Sequence, residues 1–154
     1  GRPVEGKLSN INMTVNANEW SHIAVTFGEK TIKVYVNGVE KGSSTTNVPS
    51  SVNFGIAHND EQGTRITRCF WVGYSYEHAR YFPGMMSELR IWNRVLTADE
   101  LANATRRYGV DPKSEGLVTY WKCDEGQGDV IKDHTSYRND LASDGLKWEP
   151  VSLA

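Results

Sequence analysis

Glycoside hydrolysis needs two carboxylates facing one sugar, about 5 Å apart in retaining enzymes and wider in inverting ones. On a strand, residues i and i+2 share a face. A Glu-x-Asp triplet would therefore be a signal, and the chain has none. Asp124-Glu125 is an adjacent pair, and adjacent strand residues face opposite ways. Asp99-Glu100 falls in the first turn of an expected helix, where acids favour the dipole. These carboxylates read as solvated surface. Nucleophilic catalysis fares no better, since no Gly-x-Ser-x-Gly elbow is present. Of the histidines His22, His58, His78 and His134, His22 stands at a strand start beside Trp20 and reads as a packed or edge residue. His58, within Ala57-His58-Asn59-Asp60-Glu61-Gln62-Gly63, is the more interesting. Gly126-x-Gly128 lacks the third glycine and the following helix of a dinucleotide fingerprint.

Two binding chemistries remain. The histidines and cysteines show no CxxC or HxxxH spacing, so the sequence does not indicate zinc. Calcium takes several oxygen ligands, often from one loop. Asn59-Asp60-Glu61-Gln62 offers oxygen-bearing side chains in a row, with Asp60 and Glu61 as the calcium candidates. The run lacks the alternating acids and terminal Glu of an EF-hand and reads first as a polar surface loop. The second chemistry is stacking. Trp71, Tyr74, Tyr76 and Tyr81 lie close together, around an expected loop carrying His78 and Arg80. Sugars present apolar C–H faces to aromatic rings and hydroxyls to polar groups. His58, Asn59, Asp60 and Arg80 are the polar candidates. An exposed aromatic cluster of this kind suits a glycan or a protein partner. The competing reading, put ahead of it, is that Trp71 and at least half the tyrosines are core.

Composition narrows the field. The chain has 154 residues, five Trp, seven Tyr, four Phe and a net charge of −2. That is one domain with a real core, too aromatic to be disordered. No basic excess points to nucleic acid. No apolar run approaches the ~18 residues of a membrane helix. The start, Gly1-Arg2-Pro3, reads as a processed or trimmed chain, so the lack of a leader carries no information on compartment. Cys69 and Cys123 are too few for a disulfide scaffold. They read as buried thiols ahead of a single bridge.

The elements that must position these residues are mostly strands. Ile23, Val25 and Phe27 alternate on one face of residues 22–27, and Ile32, Val34 and Val36 on one face of residues 31–36. Asn37-Gly38 follows at once, a strong type I′ hairpin signal. Residues 42–53 read as a polar connection, 54–56 as a short strand, 57–68 as a loop, 69–74 as an aromatic strand and 76–83 as a loop. Further strands are expected over 85–92 and 117–123, and a closing one over 147–153. One short helix is expected over 97–107. Thr97 caps it, Glu100 completes a capping box, and Arg106 and Arg107 suit its last turn. Many short strands with one helix predict an all-β fold, a two-sheet antiparallel β-sandwich or jelly roll.

Three segments carry a family resemblance. Trp20-Ser21-His22-Ile23-Ala24-Val25-Thr26-Phe27 with Val34-Tyr35-Val36-Asn37-Gly38 resembles the first hairpin of LamG-like and pentraxin-like jelly rolls. Phe82-x-Gly84, then Glu88-Leu89-Arg90-Ile91-Trp92-Asn93-Arg94-x-Leu96-Thr97-x-x-Glu100-Leu101, resembles their strand-and-capped-helix segment. Gly116-Leu117-Val118-x-Tyr120-Trp121-Lys122-x-Asp124-Glu125-Gly126-x-Gly128, with Asp133 and Asn139-Asp140 beyond, is similar to a stretch of bacterial LamG-type domains. The chain thus resembles the concanavalin A-like lectin/glucanase superfamily.

The resemblance implies one LamG-like sandwich over residues 1–154, made of two curved sheets, with ligand held on the concave face or rim loops. It implies a non-catalytic, lectin-like module of a bacterial surface, extracellular or periplasmic glycan-handling protein. Its glucanase branch uses a Glu-x-Asp-x-Glu motif that this sequence lacks. Its pentraxin branch binds calcium after an "L-G-x-E-Q-D" strand. Here Asp60 matches the final acid, while Ala57 and His58 replace the Glu-Gln pair. Few residues precede the Trp20 motif, so N-terminal strands of the family are expected to be missing or abbreviated. Sheet edges left open in that way would seek a homodimer or a neighbouring domain.

Overall fold

The computed structural model describes residues 11, 13–46, 48, 58–59, 65–66, 72–75, 80–143 and 145–152. In chain order the elements are β1 (Ile23–Gly28), β2 (Thr31–Val36), β3 (Val39–Ser44), β4 (His58–Asn59), β5 (Arg65–Ile66), β6 (Tyr74–Ser75), β7 (Arg80–Tyr81), β8 (Leu89–Trp92), α1 (Ala98–Ala102), a 3-10 turn (Ala104–Arg107), β9 (Leu117–Trp121), β10 (Val130–Ile131) and β11 (Leu141–Ala142). Their pairings are all antiparallel, as the all-β reading expects. No helix among the described residues is long and apolar enough to cross a membrane. The chain forms two compact units, residues 1–48 with 86–154, and residues 49–85.

In the first unit β1, β2 and β3 form one sheet in that order. Both connections are two-residue turns with positive φ at both positions, Glu29 (49°) with Lys30 (58°), and Asn37 (51°) with Gly38 (79°). That geometry matches the twist of the flanking strands. A Cβ on Gly38 would lie 2.7 Å from the Leu101 carbonyl oxygen, so the end of α1 closes directly over this turn. The register sets Ile23 against Val36, Val25 against Val34 and Phe27 against Ile32. The two apolar sets expected from alternation therefore share a face. β3 continues through Ser44, into the stretch expected to be connection. Pairing to β2, with an irregularity at Val34/Tyr35, holds residues of low strand propensity there.

Thr97 caps α1 as expected. Its hydroxyl accepts the Glu100 N–H at 3.2 Å, and the Glu100 carboxylate accepts the Thr97 N–H at 2.9 Å. The helix is shorter than the 97–107 expected. Asn103 turns extended (ψ 105°), and its side chain accepts the Thr105 N–H, so the chain continues as a 3-10 turn. Glu100 also receives both guanidinium Nη groups of Arg94, at 2.7 and 2.9 Å, and lies 3.2 Å from Arg106. The Arg94 bonds first, then the Thr97 N–H, hold its carboxyl down at about 2. Glu100→Ala should lower unfolding free energy by about 1–2 kcal/mol in a urea titration. The Glu100 contribution is complete above the ordinary glutamate value and lost as pH falls towards 2. The wild-type advantage over Glu100→Ala should therefore shrink across that window.

β8 pairs with β9, bringing Leu89 to Trp121 and Arg90 to Tyr120. Tyr120 is fully buried against Val110 and Leu117, with Trp92 packed on them. Both strands are shorter than expected for one reason. Glu88 (φ 58°) and Cys123 (φ 61°) are left-handed, and a ladder does not pass through that conformation. β10 and β11, two residues each, pair where no strand was expected. Residues 147–152 carry no strand, against the closing strand expected there. Pro150 removes a ladder donor, and the Trp148 indole N–H instead donates to the Gly128 carbonyl at 3.0 Å.

In the second unit β4 pairs with β5, and β6 with β7. Strands β4, β5 and β7 lie in stretches read as loops, residues 57–68 and 76–83, while β6 begins at the last residue of the strand expected over 69–74. The aromatic strand expected over 69–74 is described only from residue 72, where a bend at Val72 and Gly73 leads into β6. Residues 54–56, Cys69 and Trp71 lie outside the described residues.

Candidate functional site

The β6/β7 ladder assembles part of the aromatic cluster. Its register sets Tyr74 directly opposite Tyr81, and Ser75 opposite Arg80. The Phe82 N–H donates to the Gly73 carbonyl at 2.8 Å and closes the base of the hairpin. Tyr81 is 72% exposed and Phe82 53%. Pro83 and Gly84 follow at once. A Cβ on Gly84 would lie 2.7 Å from the Phe82 ring, so the chain folds back against that ring. Phe82 was not among the expected contacts. Its signal was present in Tyr81-Phe82-Pro83-Gly84, aromatics followed by a turn dipeptide. His58 and Asn59 form β4, opposite Ile66 and Arg65. Trp71, Tyr76, His78, Asp60 and Glu61 lie outside the described residues. An exposed ring on a paired backbone offers a flat apolar face at a fixed place, as stacking on a sugar requires.

In the first unit the carboxylates of Glu88 and Asp133 are committed to structure. Glu88 accepts the Tyr120 hydroxyl at 2.6 Å and the Gly109 N–H at 3.3 Å, and lies 3.5 Å from Arg90. Burial and the Glu88 bond raise the Tyr120 phenol well above its ordinary value, so it stays a donor. Asp133 accepts the N–H groups of Tyr120, Thr135 and Asn139 and the Thr135 hydroxyl, each at 2.9 Å. Burial lowers the His22 imidazole, and the charges of Arg90 and Arg107 lower it further. Its backbone N–H donates to the Asn37 side-chain oxygen at 2.9 Å. Cys123 is a free thiol that burial, with nearby carboxylates, pushes up to about 12. It is therefore inert as a nucleophile. A shallow open depression of about 410 Å³ is lined by the 103–114 segment, and among the described residues Asp111 is its lone carboxylate, with no second acid to pair with it.

Residues 4–102 match the family model Laminin_G_3, concanavalin A-like lectin/glucanases superfamily. Among solved structures, the chain is similar to a "putative carbohydrate binding protein" from Bacteroides ovatus, with 28% identity over 88% of this chain and 39% of that one, and a TM-score of 0.60. It is also similar to an S-layer domain-containing protein from Clostridium thermocellum, with 25% identity over 59% of this chain and 41% of that one, and a TM-score of 0.38. The chain therefore spans less than half the length of either. None of the curated proteins matches it. The type I′ hairpins and the capped helix α1 both fall within the matched residues, and the chain belongs to the concanavalin A-like lectin/glucanase superfamily.

Proposed function

We propose that this chain is a non-catalytic carbohydrate-binding module that holds glycan by stacking on the β6/β7 aromatics. The observation that carries the reading is the exposure of Tyr81 and Phe82 at a hairpin that also pairs Tyr81 with Tyr74. Arg80, on the same short strand, is the polar partner nearest in sequence. The similar Bacteroides ovatus protein, named for carbohydrate binding, supports the reading. So does the commitment of Glu88 and Asp133 to internal hydrogen bonds, which leaves neither free for acid–base work. Trp71, Tyr76, His58 and Asn59 complete the proposed contacts, with calcium at Asp60 and Glu61 as an auxiliary. Such a module belongs to an extracellular, cell-surface or periplasmic protein that handles glycans.

The test is a panel of soluble oligosaccharides, screened for binding and for hydrolysis, with and without calcium. The expected result is binding in the micromolar to millimolar range, about −8 to −4 kcal/mol, with every sugar recovered intact. Hydrolysis, or no binding to any glycan, would contradict the proposal. A second reading, docking of another chain along β1, has one observation in its favour. β1 ends the sheet order among the described residues, with Ile23 and Val25 exposed. A dimer that persists on dilution without sugar would favour it.

A further inference from the structure

We propose that Asp124, Glu125 and His134 form a binding site for one divalent transition-metal ion of the zinc class, separate from the glycan-binding reading above. One ligand atom from each lies within 4.8 Å of the others. The His134 Nε2 is 3.7 Å from the Asp124 Oδ1, too far for a hydrogen bond. Bonds of about 2.0–2.2 Å to a shared ion would hold two ligand atoms roughly 3–4.4 Å apart, which spans that gap.

The backbone fixes two of the three ligands. His134 donates its N–H to the Tyr120 carbonyl at 2.9 Å, beside the Asp133 hydrogen bonds, and its ring lies 6.0 Å from the Tyr120 ring. Glu125 Oε1 accepts the Lys132 N–H at 2.7 Å, which closes the intervening loop. Glu125 Oε2 is buried and has no hydrogen-bond partner among the described residues. A buried carboxylate oxygen left unsatisfied needs a cation or donor, and this separates the group from an ordinary acidic surface cluster. Asp124 is 62% exposed and His134 30%, so an ion can enter from solvent and keep water in its remaining positions.

The donor set selects the ion. An imidazole nitrogen with two carboxylates suits zinc and its neighbours, whereas calcium takes oxygen ligands alone. Two carboxylates also balance the ion's charge. Once bound, the ion would tie the segment after β9 to the segment after β10.

The test is calorimetric titration of the chelator-treated full chain with zinc chloride, and separately with calcium chloride. The expected result is one zinc bound per chain. Asp124→Asn and His134→Ala should each weaken zinc binding on the order of tenfold or more, with His78→Ala unchanged. Zinc should also raise the thermal midpoint of wild type but not of His134→Ala. Both substituted side chains are partly solvent-exposed, and a metal-free unfolding curve matching wild type confirms the fold of each. The proposal is overturned if zinc neither binds nor shifts the midpoint. It is equally overturned if both variants bind zinc like wild type, or if calcium binds in preference and His134→Ala leaves that intact. Glycan binding does not enter these readouts, so either reading can fail alone.

Discussion

Asp133→Ala should lower the unfolding free energy by about 3–5 kcal/mol, read from urea denaturation. Asp133 is 1% exposed, and its two carboxylate oxygens accept all four of the bonds from Tyr120, Thr135 and Asn139. Burial alone would raise its pKa, yet these donors together hold it below the ordinary aspartate value. Alanine leaves three backbone N–H groups without their partner, at about 1–3 kcal/mol for each that water cannot reach. It also releases Asn139, whose carbonyl accepts the Trp121 indole N–H at 2.8 Å and whose amide reaches Thr119 at 3.1 Å. Asp133→Asn keeps the shape but turns one acceptor into a donor facing donors, so about half that loss should remain. A loss below about 1 kcal/mol for alanine would mean that these bonds do not hold the β9 end of the core.

Arg90→Ala should be comparably damaging, by about 3–5 kcal/mol, because it breaks a buried charge network from one side. The Arg90 side chain is 8% exposed. Its fork donates to the Arg106 carbonyl at 2.6 Å and the Arg107 carbonyl at 2.5 Å, and its Nε to the Glu88 carbonyl at 3.1 Å. Those acceptors end the 3-10 turn, so Arg90 joins the strand β8 to the helical segment. It also lies over the Tyr120 ring at 5.5 Å. Alanine would leave Glu88 with less countercharge and two turn carbonyls unbound. Arg90→Lys keeps the charge but cannot reach both carbonyls, and should recover less than half of the loss. Full recovery by lysine would show that charge alone matters at this position.

What could be read from the residues was local. Asn37-Gly38 and Thr97-x-x-Glu100 declare a turn and a cap within a few residues, and both are present. The two-residue ladders β4 to β7, β10 and β11 are too short for alternation to register. The ends of β8 and β9 are set by left-handed Glu88 and Cys123, residue types that do not announce positive φ. The same break undoes the reading of Asp124-Glu125 as opposite faces of a strand. β9 has already stopped at Trp121, and both acids come near His134. Two of the four Asp133 hydrogen bonds join residues 13 and 6 positions apart, so only the family motif hinted at those two. At the candidate site Tyr81 was legible as an aromatic. Its pairing with Tyr74 was not, because the stretch between them read as loop.

The central claim is that exposed hairpin aromatics hold glycan, and Tyr81→Ala tests it most directly. Wild type and variant would be titrated calorimetrically with the tightest-binding oligosaccharide of the panel. The predicted result is about a tenfold weaker affinity, near 1.4 kcal/mol, with an unchanged unfolding midpoint. Equal affinity for the two proteins would contradict the account.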